Sequence, residues 1–163
     1  MNTSFPKSND PFRDGLLLFT RLAVFKPEEY PAIPFKAWQT AVRNSFIIWL
    51  SNDGDKLCIS YQHNQVSVGK QVSAPVQSGY ICVFKQNFLP VIMKKNISQL
   101  EVFRKKEPCI IDITAGQFRE ALQIFVQMHQ ETKSSYAYKY HLIRNQIAQL
   151  IHLGIKASQP PSV

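Results

Sequence analysis

The sequence predicts an α+β chain: a β barrel or sandwich over residues 15–113, followed by two antiparallel helices over 114–156. Three observations predict it. Short apolar, β-branched and aromatic runs recur in the first two thirds, separated by turn signals. No long helical pattern interrupts most of them. Near Asp112 the hydrophobic rhythm changes from a two-residue period to one near three and a half.

The elements follow in order. Residues 1–14 are polar and proline-punctuated and read as a flexible N-terminal segment. Leu16 to Phe25 leads into a first strand. Pro27, Pro31 and Pro34 mark edges or loops, where a missing amide donor is harmless. Ser45 to Leu50 is a second strand. Asn52-Asp53-Gly54-Asp55 is a turn, because Asp-Gly readily supplies a positive φ, so Leu57 to Tyr61 should pair back as a hairpin. Gln65 to Val68 alternates up to Gly69, and Gly79 to Phe84 and Pro108 to Ile113 complete the strands. Phe88 to Lys106 reads as a short helical or irregular crossing that contributes Ile97, Leu100 and Phe103.

Thr114 with Gln117 three residues later is a capping-box pattern. Phe118, Ala121, Leu122, Phe125, Val126 and His129 then share one helical face, which predicts a helix over 116–131. After a polar break at 132–135, Tyr136, Tyr140, Ile143, Ile147, Leu150 and Gly154 recur at steps of four and three, the spacing of a packing seam. Leu142 and Leu153 lie off that stripe, so one side can meet the parent domain and another a second molecule. Residues 157–163 read as a linker.

Composition narrows the function. The 163 residues include 45% hydrophobic and 18% charged, which suits a folded chain with a real core. Net charge is +8, from 19 Lys and Arg against 11 Asp and Glu. Its tightest cluster, Arg104-Lys105-Lys106, is short and reads as a solvated surface rather than a DNA-binding patch. Three scattered cysteines, Cys58, Cys82 and Cys109, have no metal or redox spacing and fit a reducing, cytoplasmic setting. No signal peptide and no membrane span is read, so Asn96-Ile97-Ser98 has no secretory context.

Catalysis finds little support. His141 and His152 stand about 16 Å apart along a helix, too far to share an ion. His63 reads as a loop residue and His129 as a packing residue. Glu28 and Glu29 are adjacent and would face opposite ways on a strand. No Gly-rich phosphate loop occurs among six glycines. No metal, cofactor or catalytic residue is assigned.

A family resemblance rests on particular residues. Tyr136-Ala137-Tyr138-Lys139-Tyr140-His141-Leu142-Ile143-Arg144-Asn145, with Leu150-Ile151-His152 and Lys156, resembles the last helix before the DNA-binding domain of AraC-type transcription regulators. Gly79 to Lys85 with Asn87-Phe88-Leu89 is similar to the strand and turn that end the sensor barrel there. The resemblance runs from Phe35 to Pro160. It implies a cupin-like β-barrel (a double-stranded β-helix) that binds a small effector, a two-helix dimerisation unit, and helix-turn-helix motifs that read DNA. The sequence stops at the linker, so contact with DNA is expected only through a domain absent from it. Gln39 to Asn44, where many cupins carry a His-x-His metal pair, has no histidine.

Expected ligand-binding residues are Trp38, Arg43, Trp49 and Tyr61, with Arg43 able to clamp an anionic or hydroxylated effector. The opposing reading makes Arg43 a barrel-edge residue and the aromatics plain core. The expected homodimer interface is Tyr140, Ile143, Ile147, Leu150 and Ile151, unless packing within the chain consumes them. The competing functions are a small metal-independent cupin-type enzyme and a structural dimerisation domain with a filled barrel.

Overall fold

The computed structural model describes residues 21–27, 43–64, 79–89 and 91–160. The strands are β1 (Leu22–Phe25), β2 (Ser45–Asn52), β3 (Leu57–Asn64), β4 (Tyr80–Lys85) and β5 (Cys109–Asp112). The helices are two single turns, α1 (Val91–Lys94) and α2 (Glu101–Arg104), then the long α3 (Ala115–Thr132) and α4 (Lys139–Ser158). The strands form one antiparallel sheet in the order β1-β4-β2-β3-β5.

The predicted hairpin is present. β2 and β3 pair from Ser45↔Asn64 to Asn52↔Leu57. Gly54 turns with φ +76°, and its amide donates to Asn52 Oδ1 at 3.1 Å. β4 lies against the other side of β2, and β5 against β3.

The mixed α+β architecture is present, while closure of the sheet into a barrel is not seen among the described strands. The described strands make an open sheet with β1 and β5 at its edges. Period-two alternation is the same in an open sheet and a closed barrel. Closure depends on which distant strands pair, and local patterning does not encode that. The expected strand at Gln65 to Val68 lies outside the described residues.

Strand alternation sorts the sheet into two faces. Phe46, Ile48, Leu50, Ile59, Tyr61, Tyr80, Cys82 and Phe84 face the helices and join Phe103, Phe125, Met128, Ile143, Ile147 and Leu150 in one continuous core. α3 and α4 pack on each other and on the sheet. The contacts Lys139–Thr132 and Gln146–Gln127 show the chain doubling back, so the two helices are antiparallel.

The capping box forms as the sequence requires. Gln117 N–H donates to Thr114 Oγ1 at 3.1 Å, and Thr114 N–H donates to Gln117 Oε1 at 2.9 Å. Thr114 is exposed, so Thr114→Ala removes a cap without opening the core. It should lower stability by about 1 kcal/mol in urea unfolding. An unchanged midpoint would show that the cap contributes nothing here. α4 extends through Ser158, so Ala157 and Ser158 are helical rather than the start of a linker.

Candidate functional site

The second face of the sheet distinguishes this chain. Register places Ile47 beside Val83 and Gln62, and Trp49 beside Ile81 and Ser60, all on the side away from α3 and α4. Ile47, Ile81, Val83 and Phe25 are buried there. So are Ser45, Ser51, Ser60 and Gln62. Among the described residues these are four of the five buried polar side chains; the fifth, Gln146, belongs to α4. Buried polar groups cost free energy unless they find partners. A buried face that mixes hydroxyls, a carboxamide and an indole has the make-up of a ligand-lining surface.

Of the expected ligand-binding residues, the three described ones, Arg43, Trp49 and Tyr61, are not brought together. Trp49 lies on this second face and is half-buried. Arg43 is exposed in the turn that enters β2, and its carbonyl accepts hydrogen bonds from Ser45 Oγ and Lys85 Nζ. Trp38 lies outside the described residues. Tyr61 is on the opposite face, wholly buried in the helix-facing core. Its hydroxyl donates to the Leu150 carbonyl of α4, and its ring meets Phe103 edge-on at 5.7 Å. Burial pushes the Tyr61 hydroxyl well above its ordinary value, so it stays protonated. Tyr61 therefore fastens sheet to helix and shares no cavity with Trp49. Strand parity separates them, because an odd spacing across paired strands reverses the face.

Ser60 and Gln62 escaped the sequence reading. Alternating polar residues in a strand normally signal a solvent face, and nothing local marks these as buried.

The dimer-interface expectation is likewise corrected. Ile143, Ile147 and Leu150 are 0% exposed and Ile151 is 2% exposed, all inside the chain's own core. Only Tyr140 of the five faces outward, at 49%. A stripe at steps of three and four marks a packing seam, and here the partner is α3 and the sheet. A different stripe of α4 is open: Leu142, Asn145, Gln149, His152 and Lys156 keep the same spacing and are all exposed. It borders a groove of about 660 Å³ between α3 and α4, floored by Ile124 and Leu153 and walled by Gln123, Gln127, Gln149 and His152.

His63 sits on β3 rather than in a loop, its ring stacked on Phe46 at 4.0 Å between centroids. Burial lowers its pKa from the usual 6.5 by penalising the imidazolium. The folded chain then binds fewer protons than the unfolded chain between those two values. Stability is fully present above 6.5 and falls as pH drops toward the lowered value. His63→Phe, which keeps the stack, should flatten the dependence of the urea midpoint on acid in that window. An equal slope in both proteins would place the effect elsewhere.

Burial also raises the Cys58, Cys82 and Cys109 thiols, with a Cys58–Asp112 contact at 3.2 Å adding to it at Cys58. They are poor nucleophiles in this fold. Among the described residues no three His, Cys, Asp or Glu side chains converge in a way that could hold a metal ion, and no helix is long and apolar enough to cross a membrane. No protein-family model matches the chain, and a search of curated proteins returns no match.

Proposed function

We propose that this chain is an effector-binding and dimerisation unit of the AraC type, controlling transcription through a separate helix-turn-helix domain. One observation carries the reading: buried polar side chains concentrate on the sheet face that the long helices do not cover. A face that served packing alone would gain from apolar residues at Ser60 and Gln62. Hydroxyls and a carboxamide beside Trp49 suit a small neutral or hydroxylated ligand. Arg43, at the same end as Ser45, would add a positive charge at the mouth.

The second copy is placed on the open stripe of α4, its helix lying in the groove walled by Gln149 and His152. This replaces the buried seam as the dimer surface. An effector acts in such a unit only if it binds one helix arrangement more tightly than another. The Tyr61 hydroxyl on the Leu150 carbonyl ties β3 to α4, the helix that carries the proposed dimer stripe.

A thermal-shift screen with sugars, fatty acids and aromatic acids tests the binding claim, because a ligand specific for the folded state raises Tm. A hit should also change Trp49 emission in a Trp38→Phe chain. No shift with any class would leave a filled, purely structural shell. For the dimer, light scattering should give twice the chain mass, and Gln149→Glu with Leu142→Asp should halve it with Tm kept. A monomer at high concentration would remove the dimer from the reading.

A further inference from the structure

We propose that the surface carrying Tyr136, Tyr138 and Tyr140 is a docking site for single-stranded nucleic acid, with bases on the rings and phosphates on Lys133, Lys139 and Arg144. This goes beyond effector binding and uses a different surface.

The three tyrosines fall within five residues at the entry to α4 and are 53%, 63% and 49% exposed. Among the described residues Phe46, Phe84, Phe88, Phe103 and Phe125 are buried, whereas these three rings are open to solvent. Tyr136 and Tyr138 meet edge-on at 5.9 Å, and Tyr138 leans on His141 at 6.1 Å. Tyr140 meets the buried ring of Phe88 edge-on at 6.1 Å. They present rigid aromatic area that loses little entropy on binding.

The cations among the rings are fixed as well. Lys139 Nζ lies 5.3 Å from the centroid of Tyr140 and donates to the carbonyls of Thr132 and Ser134 at 3.2 and 2.9 Å. The Arg144 guanidinium stacks over Phe88 at 4.7 Å, and its Nε donates to the Phe88 carbonyl. Lys133 is exposed at the helix connection. A hydrogen bond from Gln86 to the Lys94 carbonyl ties a further basic stretch to the Phe88 turn.

The sign of the charge decides the occupant. No aspartate or glutamate occurs after Glu131, so residues 132–163 carry four Lys and Arg and no carboxylate. Glu131 itself is engaged by Ser134 Oγ at 2.8 Å. A protein-binding centre tends to be depleted of lysine, whereas here Lys139 stands among the rings. Flat rings interleaved with cations, in a stretch of chain that carries no acidic side chain, match the alternation of base and phosphate along a single strand. A duplex hides its bases and would engage only the cations.

The test is fluorescence anisotropy of the full chain with a labelled oligothymidine of about 15 nucleotides, and with a duplex of equal length, at roughly 50 mM salt. The single strand should bind more tightly than the duplex. Tyr136→Ala with Tyr138→Ala should weaken it about tenfold or more, while Tm is kept because both rings are exposed. Lys133→Gln with Lys139→Gln should reduce the slope of log Kd against log salt. No binding by the unaltered chain, equal affinity for duplex, or affinity insensitive to the tyrosine variant would overturn the proposal. So would loss of self-association in the tyrosine variant without loss of oligonucleotide binding, since the patch would then be a protein contact.

Discussion

Gly79→Ala is expected to leave the chain largely unfolded at room temperature. Gly79 precedes β4 with φ +100°, outside the left-handed region that non-glycine residues occasionally adopt. An added Cβ would stand 2.9 Å from the Leu50 carbonyl carbon and closer still to its oxygen. That oxygen is backbone of the central strand β2, where Leu50 pairs with Tyr80, so it cannot swing aside. Backbone strain alone costs about 1–3 kcal/mol, and relieving the clash means breaking the β2–β4 register. The sum enters the range above about 4 kcal/mol, comparable to the whole stability of a small domain. Gly54→Ala is the control. Its φ is +76°, but nothing lies within 4 Å, so only the conformational cost of about 1–2 kcal/mol applies. Circular dichroism and urea midpoints should separate the two variants widely. Equal midpoints would mean that Leu50 does not approach Gly79 in this way.

The second large effect is at the joint between sheet and helix. Gly154 lies inside α4, where alanine would ordinarily gain about 1 kcal/mol through helix propensity. Here a Cβ would lie within contact distance of the Tyr61 ring carbons and hydroxyl. The ring cannot retreat, being wholly buried, edge-on to Phe103 and bonded to the Leu150 carbonyl. Overpacking of this kind costs about 1–3 kcal/mol and more when nothing can shift, so the clash outweighs the propensity gain. Gly154→Ala should therefore destabilise by about 2 kcal/mol net, opposite in sign to the usual glycine-to-alanine change in a helix. Tyr61→Leu alone should also destabilise, by leaving a cavity. Together they should cost less than their sum by about 1 kcal/mol or more, because leucine frees the space the new methyl needs. Strict additivity would separate the two residues in space.

These two glycines illustrate what the sequence conveys and what it does not. Asn52-Asp53-Gly54-Asp55 announces its turn because the conformation is demanded by neighbours in sequence. The same holds for Thr114 and Gln117, whose capping box forms as read, and for the amphipathic stripe of α3. Gly79 and Gly154 are demanded by Leu50 and Tyr61, residues far away along the chain. The same limit governs the site. Sequence spacing finds the stripe Ile143–Ile147–Leu150 but not its partner, which proves to be α3 and the sheet rather than a second molecule. Alternation in Leu57–Asn64 shows that Tyr61 and Gln62 face opposite ways, yet does not tell which of the two faces meets the helices. That choice is tertiary, and it puts Tyr61 in the helix-facing core while burying Ser60 and Gln62 on the other face with Trp49.

Melting temperatures of the unaltered chain and of Gln62→Leu, without ligand, test the central claim most directly. If Gln62 is kept in a buried face for binding, replacing it with an apolar side chain of similar size should leave Tm equal or raise it. It should also abolish the stabilisation given by any effector found in the screen. A Gln62→Leu chain that melts several degrees lower would show that the carboxamide serves packing, and the ligand-binding face would be lost with it.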